Sequence, residues 1–244
     1  MGSKAELRRR LQAQRQAMPD GDRRLAGRRL AVRGLAWASA LGETGGPYPG
    51  AAWPADAAVR LTDAAGPNRD GAGQVPDPQR GGPSPSSPPG RIAAYLSGGT
   101  EPPTLVLLSR LVEEGYEILV PVCEAGFRLQ WVRWLPGIEL VRSRWAPVDE
   151  PVGKRLPLAV MEGVSGILLP ALAADVEGNR LGKGGGYYDR FLATLDGLEH
   201  RPATAAVVFE HELLPAGRIE FDELDAPVDG VLTPDRYRAA AKRA

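Results

Sequence analysis

The residues of this sequence that are best suited to chemistry lie in one glycine-rich segment, GNRLGKGGGYYDRFL. Glycine adopts positive φ without steric cost, so a run of glycines can turn successive N–H groups into one concave anion site. Lys183 lies among these glycines and Arg180 lies just before them. The glycines are Gly182, Gly184, Gly185 and Gly186. This combination predicts a site for a polyphosphate.

A helix is predicted to begin directly after the last of these glycines. The apolar residues from Tyr187 to Leu195 follow helical spacing, and Gly197 marks the end. The loop therefore opens onto a helix N-terminus, where the helix dipole and the free N–H groups also favour an anion. Before the loop, the apolar run 167–169 ends at Pro170 and predicts a buried strand.

Asp189 falls in the first turn of the predicted helix. A carboxylate there would repel bound phosphates unless a cation lay between them. Magnesium suits this position, because it commonly uses one or two protein carboxylates together with phosphate oxygens and water. The alternative is that Asp189 only complements the helix dipole.

The segment does not match two common phosphate motifs. No Gly-Lys-Ser or Gly-Lys-Thr ends it, and a dinucleotide fingerprint starting at Gly182 would need glycine where the chain has Tyr187. The string RLGKGGGYYD instead resembles the signature of the 5-formyltetrahydrofolate cyclo-ligase (5,10-methenyltetrahydrofolate synthetase) family.

Composition excludes several classes of function. The chain of 244 residues has 30 Lys plus Arg against 30 Asp plus Glu, so no net charge draws it to nucleic acid or to an anionic membrane. We expect neither partner, and nothing indicates an obligate protein partner. The single Cys123 excludes an internal disulfide and is interpreted as inert. No apolar run approaches the ~20 residues of a membrane span, and the N-terminus lacks a signal-peptide core, so a cytoplasmic location is expected.

Residues 44–90 differ in composition from the rest of the chain. They are rich in glycine and proline and show no apolar period, which predicts a flexible insertion outside the core. Only Trp53 and the short run 57–61 suggest local docking. We therefore predict one domain, residues 1–244, interrupted by this insertion.

The remaining chain alternates predicted strands with predicted helices, which indicates an α/β fold with a mainly parallel sheet. Ligands of such sheets bind at the carboxyl ends of the strands, so loops 97–101 and 170–186 are expected to face one crevice. Helices are predicted at 3–18 with a Ser3–Glu6 capping box, from Asp20 to about Leu41, from Pro102 or Pro103 to Gly115, and as a loose tail from Tyr237 to Ala244. Strands are predicted at 92–96, 118–122, 127–131, 138–141, 167–169, 203–209 and 228–232.

The two N-terminal helices are strongly basic. Lys4 and Arg8 share a helix face, because residues four apart are neighbours on a helix. The other basic residues are expected to form a solvated face. They are Arg9, Arg10, Arg15, Arg23, Arg24, Arg28, Arg29 and Arg33.

The resemblance covers residues 1–43 and 91–234. It implies a single three-layer α/β/α domain with a mainly parallel, Rossmann-like sheet of the NagB/RpiA/CoA-transferase type. It also implies ATP-dependent cyclisation of 5-formyltetrahydrofolate to 5,10-methenyltetrahydrofolate, with magnesium as cofactor and ADP and phosphate as products. No protein nucleophile is expected, so catalysis should rest on positioning and charge stabilisation.

Residue by residue, the resemblance assigns three sets of ligands and two catalytic cations, Lys183 and Arg180. The ATP set is Lys4, Arg8, Arg180, Leu181, Gly182, Lys183, Gly184, Gly185, Gly186, Tyr187 and Tyr188. The folate set is Leu96, Glu101, Lys183, Gly184, Gly185, Gly186 and Tyr187. The magnesium ligands are Asp189 and Asp225, the latter in the segment DAPVD. For Glu101, helix-dipole complementation is the alternative to a bond with the pterin.

Some positions depart from the family pattern. Val122 follows Pro121 where some relatives carry a basic residue, and Glu210 and His211 stand where many have glutamine. Two rival functions remain open at this point. One is a related enzyme of the same fold with another substrate, and the other is a nucleic-acid-binding protein that uses the basic helices.

Overall fold

The structure is a computed structural model that describes residues 3–43, 90–220, 222 and 225–241. All of the predicted insertion except Gly90 therefore lies outside the described residues, as do Trp53 and the run 57–61. The helices are α1 (Lys4–Ala17), α2 (Asp20–Glu43), α3 (Leu105–Glu113) and α4 (Tyr187–Leu195). Two short 3-10 helices span Leu158–Gly163 and Glu210–Glu212.

The strands build one large sheet and two small ones. They are β1 (Arg91–Ala93), β2 (Glu117–Glu124), β3 (Arg128–Trp134), β4 (Leu140–Arg142), β5 (Asp149–Pro151), β6 (Gly166–Pro170), β7 (Ala173–Asp175), β8 (Arg180–Leu181), β9 (Ala203–Val207), β10 (Leu213–Leu214), β11 (Gly230–Leu232) and β12 (Tyr237–Ala239). In the described residues the large sheet has 7 strands in the order β12-β11-β9-β6-β1-β2-β3. Its five central strands are parallel, and only the edge strands β12 and β3 pair antiparallel.

Helices cover both faces of this sheet. Along β1, Ile92 packs with α2 and α3, whereas the next residue, Ala93, packs with α4 and the first 3-10 helix. Successive side chains of a strand point to opposite faces, so this alternation defines two cores. The predicted α/β fold with three layers and a mainly parallel sheet is confirmed.

Helix α1 lies beside the small β10-β7-β8 sheet. Leu11 is buried against Leu172, Leu181 and Ile219, which form a third core cluster. The predicted N-terminus of this helix is confirmed, because Ser3 Oγ accepts the N–H of Glu6 at 3.3 Å. None of the helices in the described residues combines the length and apolarity that a bilayer crossing requires.

The prediction of a solvated face is wrong for Arg15 and Arg23. Arg15 is only 1% exposed, because its guanidinium pairs with the buried carboxylate of Glu212. Arg23 is half-buried and donates to Thr100 and other backbone carbonyls. Helical spacing alone does not show which polar face of a helix meets the rest of the chain.

The prediction of a helical tail from Tyr237 to Ala244 is also wrong. Residues Tyr237–Ala239 form β12, which pairs antiparallel with β11. Tyr237 is buried and its ring packs near Trp37, with 6.3 Å between ring centroids. A turn held by Thr233, which accepts the N–H of Arg236, brings the chain back to the sheet edge. Residues 242–244 lie outside the described residues.

Candidate active site

A cavity of about 370 Å³ lies at the carboxyl ends of the central strands. Leu96 and Glu101 line it from the loop after β1, and the glycine loop lines it from the other side. The expectation that the two loops face one crevice is therefore confirmed. The volume falls within the roughly 300–1,000 Å³ of small-molecule sites.

The backbone of the glycine loop is suited to binding an anion. Gly184 and Gly186 have φ of 96° and 69°, in the left-handed region that favours glycine. Helix α4 begins at the next residue, as predicted. Across the part of the chain that the structure describes, no backbone or side-chain oxygen accepts from the amides of residues 183–186. These N–H groups are thus free for a ligand at a helix N-terminus.

The hairpin formed by β7 and β8 holds this loop in place. Buried Asp175 accepts the backbone N–H groups of Glu177 and Asn179, each at 3.0 Å. A Cβ at Gly178, where φ is 84°, would approach the carbonyl oxygen of Val228 to 2.2 Å. This turn therefore requires glycine, and it fixes the direction in which the chain enters the glycine loop.

Arg180 is a buried cation rather than an exposed one. Its side chain is 4% exposed, and Nη2 lies 2.5 Å from Oδ1 of Asp189. Burial lowers the pKa of this guanidinium, while the charges of Asp189 and Asp225 oppose the change. Its Nε is buried without a partner in the described residues. A buried donor without a partner is costly, so this side of the site is prepared for an additional acceptor.

Helix α1 brings one of its two predicted ATP ligands to the glycine loop and the other to the predicted metal ligand Asp225. Lys4 Nζ lies 2.7 Å from Oδ2 of Asp225, and Arg8 Nε donates to the carbonyl of Gly182 at 3.0 Å. Burial tends to raise the pKa of Asp225, but the hydrogen bonds from Lys4 and from the N–H of Asp222 outweigh burial and lower it. Arg8 thus contacts the glycine loop directly, whereas Lys4 contacts Asp225, and none of these three residues lines the cavity.

Glu101 bridges the two loops. Its Oε1 lies 2.7 Å from Nζ of Lys183, and its Oε2 accepts the N–H of Gly98 at 2.9 Å. Helix α3 begins only at Leu105, so Glu101 lies outside the first helical turn. The structure therefore does not favour helix-dipole complementation as the role of Glu101.

The two predicted magnesium ligands flank Arg180. Asp189 pairs with Arg180 itself, and Asp225 pairs with Lys4. Among the described residues no three His, Cys, Asp or Glu side chains are grouped as a metal cluster. Two carboxylates still fit magnesium when phosphate oxygens and water supply the remaining ligands.

Two aromatic residues and one leucine of the predicted loop occupy different environments. The side chain of Leu181 is buried in the cluster around Leu11, away from the cavity, so only its backbone can face a ligand. Tyr188 lines the cavity, and burial raises the pKa of its hydroxyl far above the ordinary value. Tyr187 lies at the cavity edge and donates to the carbonyl of Trp145 at 3.2 Å.

The sequence analysis missed one wall of the cavity, residues 146–149, which run from the β4–β5 connection into the first residue of β5. Neighbouring Trp145 is 54% exposed and holds this wall against Tyr187. Phe127, with φ of 59°, contacts the Tyr187 ring edge-on and the guanidinium of Arg190 at 4.8 Å. The signal for this wall that the sequence offered was two aromatic residues, Phe127 and Trp145, in segments with only a weak apolar pattern.

The thiol of Cys123 also lines the cavity, and it should react slowly. Burial, together with the charge of Glu150, raises its pKa to about 12. A raised pKa reduces the thiolate fraction at every pH below it, and the thiolate is the nucleophile. Alkylation by iodoacetamide at pH 9 should therefore be about a hundredfold or more slower in the folded protein than in urea. Mass spectrometry checks this, and equal rates would contradict the inert interpretation.

Comparisons with known proteins agree with the geometry. The family model described as the 5-formyltetrahydrofolate cyclo-ligase family matches residues 87–234. The 5-formyltetrahydrofolate cyclo-ligase of Mycolicibacterium smegmatis is 39% identical over 153 residues, which cover 59% of this chain and 74% of that protein. The enzyme of the same name from Escherichia coli is 31% identical over 150 residues, covering 59% of this chain and 78% of its own.

Two solved structures share the fold. The 5,10-methenyltetrahydrofolate synthetase of Aquifex aeolicus superimposes with a TM-score of 0.61 at 22% identity, covering 99% of this chain and 94% of that one. The synthetase of Mycoplasma pneumoniae gives a TM-score of 0.59 at 12% identity, with 96% and 99% coverage. At these identities the two structures support the architecture.

Proposed function

Because the chain belongs to the 5-formyltetrahydrofolate cyclo-ligase family, we propose that it cyclises 5-formyltetrahydrofolate to 5,10-methenyltetrahydrofolate at the expense of ATP, with magnesium as cofactor. The products besides the methenyl compound are ADP and phosphate. One observation carries the ATP dependence: free amides of the glycine loop lie between cations supplied by α1, β8 and the loop itself. The reaction is proposed to occur in the cytoplasm.

The chemical difficulty of this reaction is that the formyl oxygen is a poor leaving group. In the proposed sequence this oxygen attacks the γ-phosphorus, its new O–P bond replaces the bond to ADP, and an N5-iminium phosphate results. N10 then adds to the formyl carbon, and the C–O bond breaks to release phosphate. N10 loses its proton, and the N5–C–N10 bridge carries the positive charge of the methenyl product.

The protein's part in these steps is to bind, orient and neutralise. We assign Lys183 and the free amides of the glycine loop, which line the cavity, to the oxygens of the transferring phosphoryl group. Arg180 contributes charge from a buried position, where low polarity strengthens its field. Glu101 is assigned to the aminopyrimidine edge of the pterin, where its carboxylate would accept N–H bonds in place of its present partners, Lys183 and the N–H of Gly98.

Magnesium would be held by Asp189 and Asp225 together with phosphate oxygens. When bound, it supplies charge neutralisation for the phosphates and helps to orient them. The two acids pair with Arg180 and Lys4 in the structure. Bound phosphates would compete for these cations and so release both carboxylates for the metal.

The first experiment mixes the purified protein with 5-formyltetrahydrofolate, magnesium and ATP, and follows absorbance at the methenyl-folate band. An increase that requires both ATP and magnesium is expected. Omission of each in turn is the control. Absence of any increase, with ATP binding intact by calorimetry, would leave the phosphate site and favour a related enzyme with a different substrate.

Glu101→Ala tests the folate assignment. We expect the KM for 5-formyltetrahydrofolate to rise about tenfold or more, because hydrogen bonds from a charged group contribute ~1.5–3 kcal/mol. The KM for ATP should change little. Glu113→Ala is the matched control, since Glu113 is 65% exposed and lies outside the cavity. A rise in the KM for ATP, with the KM for 5-formyltetrahydrofolate unchanged, would contradict the assignment.

A further inference from the structure

We infer that Arg15 and Arg23 are positioning residues of the nucleotide site, acting through helix α1. The hydrogen bonds of these two arginines, which we call the lock, attach the corner between α1 and α2 to loops at the carboxyl ends of the sheet. This lock fixes Arg8 against Gly182 of the glycine loop and Lys4 against Asp225. The inference rests on the proposed function, because it concerns how the ATP ligands of that site are held.

Arg15 is the buried part of the lock. Its Nε and Nη2 bond the two carboxylate oxygens of Glu212 at 2.6 and 2.8 Å, and Nη2 also donates to the carbonyl of Ala171 at 2.6 Å. Glu212 is 0% exposed and additionally accepts the N–H of Phe209 at 2.8 Å. The guanidinium lies 5.7 Å from the centre of the Phe209 ring. One side chain of α1 thus holds the loops that follow both β6 and β9.

Arg23 is the part of the lock that lies at the start of α2. Its Nη2 donates to the carbonyls of Arg15 and Met18, at 2.9 and 3.2 Å, and so closes the end of α1. Its Nη1 donates to the carbonyl of Thr100 at 3.0 Å. Thr100 precedes the folate ligand Glu101 in the loop after β1. The same guanidinium therefore joins the helix corner to the folate loop.

These contacts have a direct geometric consequence for the ATP ligands. Strands β9, β6 and β1 are neighbours in the sheet, so the corner is fixed at three adjacent loops. Lys4, Arg8, Leu11 and Arg15 recur at helical spacing and share one face of α1. At 1.5 Å per residue, a shift or rotation at Arg15 moves Arg8 and Lys4 with it. The non-directional apolar contacts of Leu11 would allow α1 to shift, whereas the directional hydrogen bonds of Arg15 and Arg23 would oppose a shift.

A stability role alone explains this arrangement poorly. Burying an ion pair such as Arg15–Glu212 costs desolvation, and an apolar pair of similar volume is often as stable or more so. Position matters more at a phosphate site, where a displacement of about 1 Å in a ligand is enough to lower the rate by about a hundredfold. The lock is therefore suited to fixing the position of α1.

The test compares Arg23→Gln with Arg24→Gln. Arg24 is the next residue of α2, is exposed, and makes no hydrogen bond or ion pair among the described residues. Arg23→Gln should raise both the Kd of MgATP by calorimetry and the KM for ATP by about tenfold, since the lost bonds are charge-assisted. Arg24→Gln should match the wild type. Thermal unfolding of all variants is measured in parallel.

The decisive measurement repeats the substitution in a Lys4→Ala, Arg8→Ala background. Because Arg23 acts on ATP through these two residues, Arg23→Gln should have no further effect on MgATP binding there. Arg23→Gln also loses the bond to the carbonyl of Thr100, next to Glu101, so it should raise the KM for 5-formyltetrahydrofolate as well, and this effect should persist in the Lys4→Ala, Arg8→Ala background. A merely structural role would lower MgATP affinity equally in both backgrounds, and that result would overturn the inference.

A second variant tests Arg15 without leaving a buried charge. The double substitution Arg15→Met, Glu212→Met should remain folded, yet bind MgATP about tenfold more weakly, as expected from the loss of charge-assisted bonds. Wild-type affinity in this folded variant would overturn the role of Arg15. If the wild-type protein itself bound no MgATP, the proposed function would fail and this inference with it. Normal wild-type binding with unaffected Arg23 and Arg15 variants would overturn the inference alone.

Discussion

Lys183→Ala should lower kcat by about 10²- to 10³-fold, as expected for removal of one group that stabilises the charge of a transition state. Lys183 lies in the glycine loop, and its side chain is 57% exposed. Its removal therefore takes little packing from the core, and the fold should persist. The measurement is steady-state formation of the methenyl product at saturating MgATP, with circular dichroism and thermal unfolding as tests of the fold.

The matched control for this substitution is Lys154→Ala. Lys154 is also exposed and does not line the cavity. Both variants lose one positive charge, so a non-specific effect of net charge would appear in both. Near-normal turnover of Lys183→Ala would remove Lys183 from the catalytic assignment. A selective rise in the KM for ATP, with kcat unchanged, would make it a binding residue only.

The sequence predicted the parts of this protein that depend on local chemistry. Strands such as Ala203–Val207 are short apolar runs, and helices such as Leu105–Glu113 have a clear apolar period, so both were recognisable. The glycine loop was recognisable because its backbone conformations need glycine whatever surrounds it. The helix after that loop begins at the predicted residue, Tyr187.

What sequence could not show depends on contacts between distant residues. Arg15 shares its helix face with Leu11, but its pairing with Glu212, which lies far along the chain, could not be predicted from that spacing. Strand β8 has two residues, too few to produce a period, and exists because it pairs with β7. Strand β12 is favoured over a helical tail because β11 offers an open edge. Tertiary context commonly overrides weak local preference in this way.

The candidate site shows the same division. The sequence suggested its cations and acids as candidates, but not that they pair with one another. Lys183 meets Glu101, Arg180 meets Asp189, and Lys4 meets Asp225. Each acid therefore has a cationic partner at or beside the cavity. Binding of substrates should therefore exchange partners rather than create charges without partners, and this exchange limits the desolvation cost.

Asp189→Asn tests that exchange at the proposed metal site. Turnover should fall by about 10²- to 10³-fold at ordinary magnesium, and the magnesium concentration for half-maximal rate should rise about tenfold or more, because one anionic ligand is lost. Asn keeps an oxygen for Arg180, but the buried guanidinium loses its counter-charge. The free energy of unfolding should therefore also drop, by about 1–3 kcal/mol.

The loss of activity and the loss of stability in Asp189→Asn can be told apart by their dependence on magnesium, and a control variant tests whether the position within α4 matters. Without ATP, the loss of stability should not depend on magnesium, because the pairing with Arg180 involves no metal. The activity of the variant should recover in part as magnesium is raised. Asp196→Asn is the control, since Asp196 lies at the other end of α4 and is 80% exposed. If activity fell only in proportion to the unfolded fraction, with an unchanged magnesium requirement, Asp189 would be a partner of Arg180 and not a metal ligand.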